Sequence, residues 1–331
     1  MKQKGCMSWK KIMCVMLTGI LALGLISCRD IQENEKISQD KKEEEKITAG
    51  SFQTDAAIQE TVMMDKTDFQ ITATDLTYDT YSVNLHLTIE NKGQKNYTVY
   101  SGTLGYSCNA VNGYMVDDGY MNVDVAPGEK VSEEISFAIN GLMIYGITEV
   151  ADIWIGFNVS DEEYNNIYQE PSQVKTSSAD SYNYSMDTYK KAIVNADLKT
   201  MFDYSVDFWS EESVYDKNNI TITSEGVMTN TDGERILLLE VENSSSELGY
   251  AEVENIFING ASIYEGTWMY DSVMPGMRRI LGIQIDPLLE SSDQETDQTA
   301  EEIKEIAFDF AAKDIRGNWK SPQETVNIVL E

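Results

Sequence analysis

The sequence predicts a mainly-β protein built from two tandem antiparallel β-sandwich units. Three observations carry that reading. Apolar and polar residues alternate in short runs, and turn residues interrupt those runs about every 8–15 positions. Four landmark motifs also occur twice in the same order. Leu85-His86-Leu87-Thr88-Ile89-Glu90-Asn91 matches Leu237-Leu238-Leu239-Glu240-Val241-Glu242-Asn243, and Val111-Asn112-Gly113 matches Ile258-Asn259-Gly260. Val125-Ala126-Pro127-Gly128 matches Val273-Met274-Pro275-Gly276, and the run from Glu149 to Phe157 matches that from Glu302 to Phe310. The offsets are 152, 147, 148 and 153, so small loop insertions reconcile them.

The chain opens with a positive segment (Lys2, Lys4, Lys10, Lys11) followed by an apolar run from Ile12 to Ile26. Its ~15 residues suit the core of a secretory signal and fall short of the ~20 that span a bilayer. The run closes on Leu25-Ile26-Ser27-Cys28, which resembles the bacterial lipobox. That resemblance implies cleavage before Cys28, a diacylglycerol on its thiol and a place on the outer face of the cell membrane. An uncleaved anchor or an ordinary secretory signal is the competing reading.

Residues 28–66 are rich in mixed charge without a sustained apolar face, and read as a solvated tether of about 35 Å reach. Unit 1 is then expected over 67–176. Tyr81, Val83, Leu85, Leu87 and Ile89 alternate with polar residues, the signature of a half-buried strand. Asn-Gly and Pro-Gly pairs supply the turns, and a short helical turn is expected around Leu142–Tyr145. Residues 177–212 form an aromatic-rich connecting segment, in which Met186 to Tyr204 reads equally as helix or as added strand. Unit 2 follows over 213–331, with another helical turn expected around Thr299–Lys304. Strands of this length and spacing fit an immunoglobulin-like sandwich.

Signal, charged tether and duplicated sandwich landmarks together resemble lipoproteins of clostridial-type Gram-positive bacteria. The resemblance covers about residues 1–28, 68–172 and 213–331. It implies fold and location, and carries no catalytic residues with it.

Composition narrows the function. The chain has 331 residues, with 56 acids against 25 bases and a net charge of −31. Removing residues 1–27 takes four bases and no acid, leaving a charge of −35. Phosphate backbones repel such a surface, so nucleic acid is not expected as a partner. Three of the four cysteines (Cys6, Cys14, Cys28) lie in or end the signal, so Cys108 has no disulfide partner after cleavage. The single histidine, His86, falls on the polar side of its strand, so no Ser-His-Asp or Cys-His site is legible.

Neither catalytic residues nor a cofactor or metal site are assigned. Asp293-x-Glu295-x-Asp297 alternates like a calcium loop but lacks the glycine and the closing glutamate. Asp161-Glu162-Glu163 and Asp117-Asp118-Gly119 read as acidic loops. The reading is a surface-displayed, non-enzymatic binding module held by lipid, with an envelope protein or a glycan as partner. Alternatives are a carboxylate-based hydrolase of extracellular polymer and an accessory subunit of an envelope complex. A hydrolase needs two carboxylates facing a cleft about 5–10 Å apart. The expected binding surface is the aromatic segment, through Tyr182, Tyr184, Tyr189 and Trp209, whose rings are interleaved with Ser, Asp and Asn.

Overall fold

The computed structural model describes residues 52–102, 109–185, 187–263, 268–285, 302–314, 317–318 and 321–330. The signal with Cys28, Cys108 and the Asp293–Asp297 acids lie outside these residues.

The first half contains β1 (Thr61–Asp65), β2 (Phe69–Tyr78), β3 (Ser82–Asn91), β4 (Tyr97–Ser101), β5 (Asn109–Val111), β6 (Tyr114–Val116), β7 (Met121–Val125) and β8 (Lys130–Ala138). Helix α1 (Ile139–Ile144) follows, then β9 (Asp152–Asp161) and β10 (Asn166–Lys175). The connecting segment folds as α2 (Thr188–Ile193), α3 (Ala196–Met201) and β11 (Ser205–Ser210). The second half contains β12 (Tyr215–Lys217), β13 (Ile220–Thr229), β14 (Arg235–Asn243), β15 (Gly249–Ile258), β16 (Ala261–Ser262), β17 (Trp268–Val273), β18 (Met277–Gln284), β19 (Glu305–Lys313) and β20 (Glu324–Val329).

In unit 1, sheet A runs β1-β2-β3-β8. Sheet B centres on β9, with β10 on one edge and β4 and β5 on the other; β4 carries β7 and β5 carries β6. In unit 2, sheet C runs β11-β13-β14-β18 with β12 also on β13, and sheet D joins β20, β19 and β15, with β16 and β17 on the far edge of β15. The ladders are antiparallel save one. A single parallel bridge, Arg278 opposite Tyr114, joins sheets B and C.

The duplicated landmarks occupy matching places. Glu90 lies opposite Lys130 in sheet A, and their equivalents Glu242 and Arg278 lie opposite each other in sheet C. Buried Asn91 ends β3 and donates to Lys95 O (2.7 Å) and Val125 O (2.9 Å). Buried Asn243 ends β14 and donates to Glu247 O (2.9 Å) and Val273 O (2.7 Å). The Asn-Gly turns agree too. Asn112 and Gly113 have φ of 51° and 86°, Asn259 and Gly260 of 50° and 78°, a left-handed pair that asparagine and glycine adopt most easily. Asn112 Oδ1 accepts from Ala151 and Asp152 N–H, as Asn259 Oδ1 does from Lys304 and Glu305.

The two outer faces differ where the repeat is otherwise faithful. Asn84, His86, Thr88 and Ser132 of sheet A become Ile236, Leu238, Glu240 and Ile280 in sheet C. Sheet A's outer face meets water at His86, Thr88 and Ser132, while Asn84 near its end is buried. The outer face of sheet C is covered by the connecting segment and unit 1. One core cluster therefore runs from Leu85 and Phe157 through Tyr189 and Ile193 to Met228, Ile236, Leu238 and Ile280. A second, between sheets C and D, takes in Ala110 and Met115 of unit 1. Each such aliphatic side chain adds roughly 1.5–3 kcal/mol by leaving water.

Two boundaries differ from the sequence reading. Residues 52–66, expected as tether, are folded: Phe52, Ala56, Met63 and Met64 are buried, and β1 joins sheet A. Seven of these fifteen residues are apolar, but they follow a highly charged stretch and show no sustained period, so the pattern did not reveal them. Between the units, the helix-or-strand alternative resolves as both. Asp187 caps α2 through Lys190 N–H and Asn195 caps α3 through Asp197 and Leu198 N–H. Then β11 adds to sheet C. The helical turn expected near 142 is α1; of that expected over Thr299–Lys304, the described residues 302–304 are not helical.

Candidate functional site

The aromatic segment divides into two pairs. Tyr189, on α2, is 2% exposed and meets Trp209 of β11 edge to face, with centroids 5.8 Å apart. The indole lies on Gly226, its cross-strand partner, where a Cβ would come within 2.6 Å of the ring. Glycine is required there so that tryptophan can cover the strand. This pair belongs to the core between the units. Tyr182 and Tyr184 form the other pair, centroids 4.9 Å apart at 72°, on the turn that leaves unit 1. Tyr184 is 43% exposed. The four residues named from the sequence therefore do not share one accessible face.

The outer pair sits in a polar setting. The Tyr182 hydroxyl meets the Asn112 side chain, and burial pushes the Tyr184 phenol up to about 12, with Asp152 and Asp180 adding to the rise. Asp152 is buried, accepts from Asn112 N–H (3.1 Å) and from Gln173, and burial raises its carboxyl above the usual range. Trp154, half-buried, directs its indole N–H to the same carboxylate. A ring surface with amide and acid groups beside it offers stacking and hydrogen bonding together. Trp154 and Gln173 lie opposite each other in the β9–β10 ladder, a pairing visible only once the strands are registered.

Inside the junction lies an ionic network that sequence reasoning missed. Arg279, 3% exposed, reaches Asp117 of unit 1 and Asp271 of unit 2. Arg278 donates to Tyr114 Oη (3.1 Å) and Glu242 (3.2 Å). Lys190 binds Thr223 O (3.0 Å) and lies 3.2 Å from Asp187 and 3.9 Å from Glu240. Glu240, 1% exposed, accepts from Thr223 and Ser224 hydroxyls, and burial raises its carboxyl. One signal was available. β14 reads Ile-Leu-Leu-Leu-Glu-Val, apolar on both faces, as a strand covered on both sides must be.

Groups with catalytic potential are placed for other work. His86 Nε2 lies 2.7 Å from Thr77 Oγ1, and its Nδ1 3.5 Å from Glu134. This hydroxyl–imidazole–carboxylate line crosses the outer face of sheet A. β3 pairs on both edges, so its N–H groups are spent in ladders rather than aimed at an oxyanion. Glu225 and Glu240 have the raised pKa of general acids, but each is 2% exposed or less. Asp161 accepts from Glu163 and Asn165 N–H within its own hairpin turn, and Asp118 accepts from Ala138 N–H. Among the described residues no group of three His, Cys, Asp or Glu is placed to hold a metal ion.

No family model matches the chain, and no curated protein does. Among solved structures, Bacteroides uniformis beta-glucuronidase 2 aligns over 77% of this chain and 27% of its own, at 10% identity and TM-score 0.21. Red sea bream transglutaminase aligns over 83% and 31%, at 8% identity and TM-score 0.20. The YadV chaperone aligns over 73% and 92%, at 9% identity and TM-score 0.17. The chain thus spans about a quarter of the glucuronidase's length. Alignments this loose assign neither family nor activity.

Proposed function

We propose that the chain is a lipid-anchored, surface-displayed interaction module that acts by binding rather than by turnover. The observation that carries this reading is the Tyr182–Tyr184 pair. It is partly exposed, with Asp152 and Asp180 acting on Tyr184, and Gln173 and Trp154 bonded in turn to Asp152. Such a surface suits an envelope protein or glycan that can stack on a ring and hydrogen-bond beside it. On this reading the signal is removed, and lipidated Cys28 with the charged stretch up to residue 52 supplies the anchor and stalk. A single acyl chain binds membranes reversibly, whereas the two chains of a diacylglycerol anchor stably.

Capture from envelope and glycan libraries by the mature chain tests the surface. Tyr184→Ala, at the exposed ring, should lower capture about tenfold without moving the melting temperature, whereas undiminished capture would reject this surface. Intact mass tests the anchor separately. A diacylglycerol adduct on Cys28, lost with membrane retention in Cys28→Ala, is the expected result.

A further inference from the structure

Equivalent residues of the two units point to a second binding position. In unit 1 the Asn112 turn is covered: Asn112 is 4% exposed, with the Tyr182 hydroxyl at its side chain and Asp152 acting on both Tyr182 and Tyr184. The covering turn, residues 177–185, departs from Thr176, whose N–H donates to Ala151 O at 2.9 Å. Unit 2 repeats the asparagine and backbone parts of that platform. Asn259 donates to Glu302 O (2.9 Å) as Asn112 does to Glu149 O (2.8 Å), and Leu330 N–H donates to Lys304 O at 2.9 Å as Thr176 does to Ala151. Yet Asn259, Glu302, Lys304 and Glu305 are all exposed, and they line a shallow depression of about 570 Å3.

We infer that this depression takes a tyrosine-bearing peptide turn from a partner protein, seated as residues 177–185 seat on unit 1. Asn259 presents the amide that meets a phenol in unit 1. Glu302 and Glu305 keep the carboxylates of Glu149 and Asp152. Lys304 stands where unit 1 has Ala151, and adds a cation suited to an acid within the turn, as Asp180 lies within the resident one. A whole further sandwich unit is a poorer occupant. Tyr114 and Met115, which meet unit 2, correspond to Ala261 and Ser262, so the anchors of the inter-unit contact are missing. The site is separate from the Tyr184 surface and stands or falls independently of it.

The test uses the 15N-labelled full chain in detergent and a synthetic peptide of residues 177–185, Ser-Ser-Ala-Asp-Ser-Tyr-Asn-Tyr-Ser. At up to about 5 mM peptide, saturable amide shifts are expected at Asn259, Gly260, Glu302, Lys304 and Glu305. Lys304→Glu lies on an exposed side chain and should keep the spectrum while weakening binding about fivefold, as should a peptide with Tyr182→Ser and Tyr184→Ser. Three results would each overturn the inference: no saturable shift, shifts confined to the Asn112 turn, or binding indifferent to both changes.

Discussion

Glu225 sits in β13 on the face it shares with Val227, opposite Ser210 of β11, and is 2% exposed. Burial lifts its carboxyl to about 7, partly offset by the Ser210 side chain and reinforced by Glu212. Its folded pKa thus lies above its unfolded value, so the folded state holds the proton more tightly. Stability from this group is present at low pH and is lost as pH rises from about 4.5 through about 7. Glu225→Gln keeps the shape without the charge. It should raise stability at pH 8 by about 1–2 kcal/mol and change little at pH 5, read as a melting shift of a few degrees. An equal gain at both pH values would show that charge is not the cause. Trp209 and Gly226 make a complementary case, since there one residue's size depends on another's lack of a side chain.

At the scale of elements, the most telling parts are the two strand ends. Asn91 and Asn243 each satisfy two backbone carbonyls where a strand gives way to a loop, and both are wholly buried. Removing either amide strands carbonyls away from water, at about 1–3 kcal/mol. Asn91→Ala and Asn243→Ala should therefore cost similar amounts in urea unfolding. A neutral result for one alone would break the equivalence of the units. These asparagines were legible only as members of a repeated motif. Nothing in a single sequence says that Asn at a strand end faces inward, because that depends on where the following loop folds. The turn chemistry was more open to reading: Asn-Gly and Pro-Gly act through local backbone angles, and the turns at 112–113 and 259–260 follow from them.

For the whole molecule, the deciding feature is that both cores cross the boundary between units. Tyr189, Met228, Leu238 and Ile280 share a cluster with unit 1, while Ala110 and Met115 share one with unit 2. Arg279 ties the same boundary through Asp117 and Asp271, and a buried pair left with one partner is strongly destabilising. The units should consequently unfold in one calorimetric transition, and two resolved transitions would contradict the shared core. The charge of −31 acts across the whole body. Raising sodium chloride from about 10 to 150 mM should raise the melting temperature modestly by screening self-repulsion. Calcium at equal ionic strength should do no more, and a much larger calcium effect would reveal a specific site.

What the sequence determined by itself was everything that depends on near neighbours: alternating strands, Asn-Gly and Pro-Gly turns, and the duplicated landmarks. Side-chain period and turn angles are local properties, so they survive in one dimension. Only the tertiary structure decided which faces meet. His86 and Leu238 hold equivalent positions, yet one faces water and the other a second domain. Tyr184 and Tyr189 lie five residues apart, yet one ring is exposed and the other sealed against Trp209. Burial is set by the surface that comes to rest on a residue, and here that surface belongs to another part of the chain.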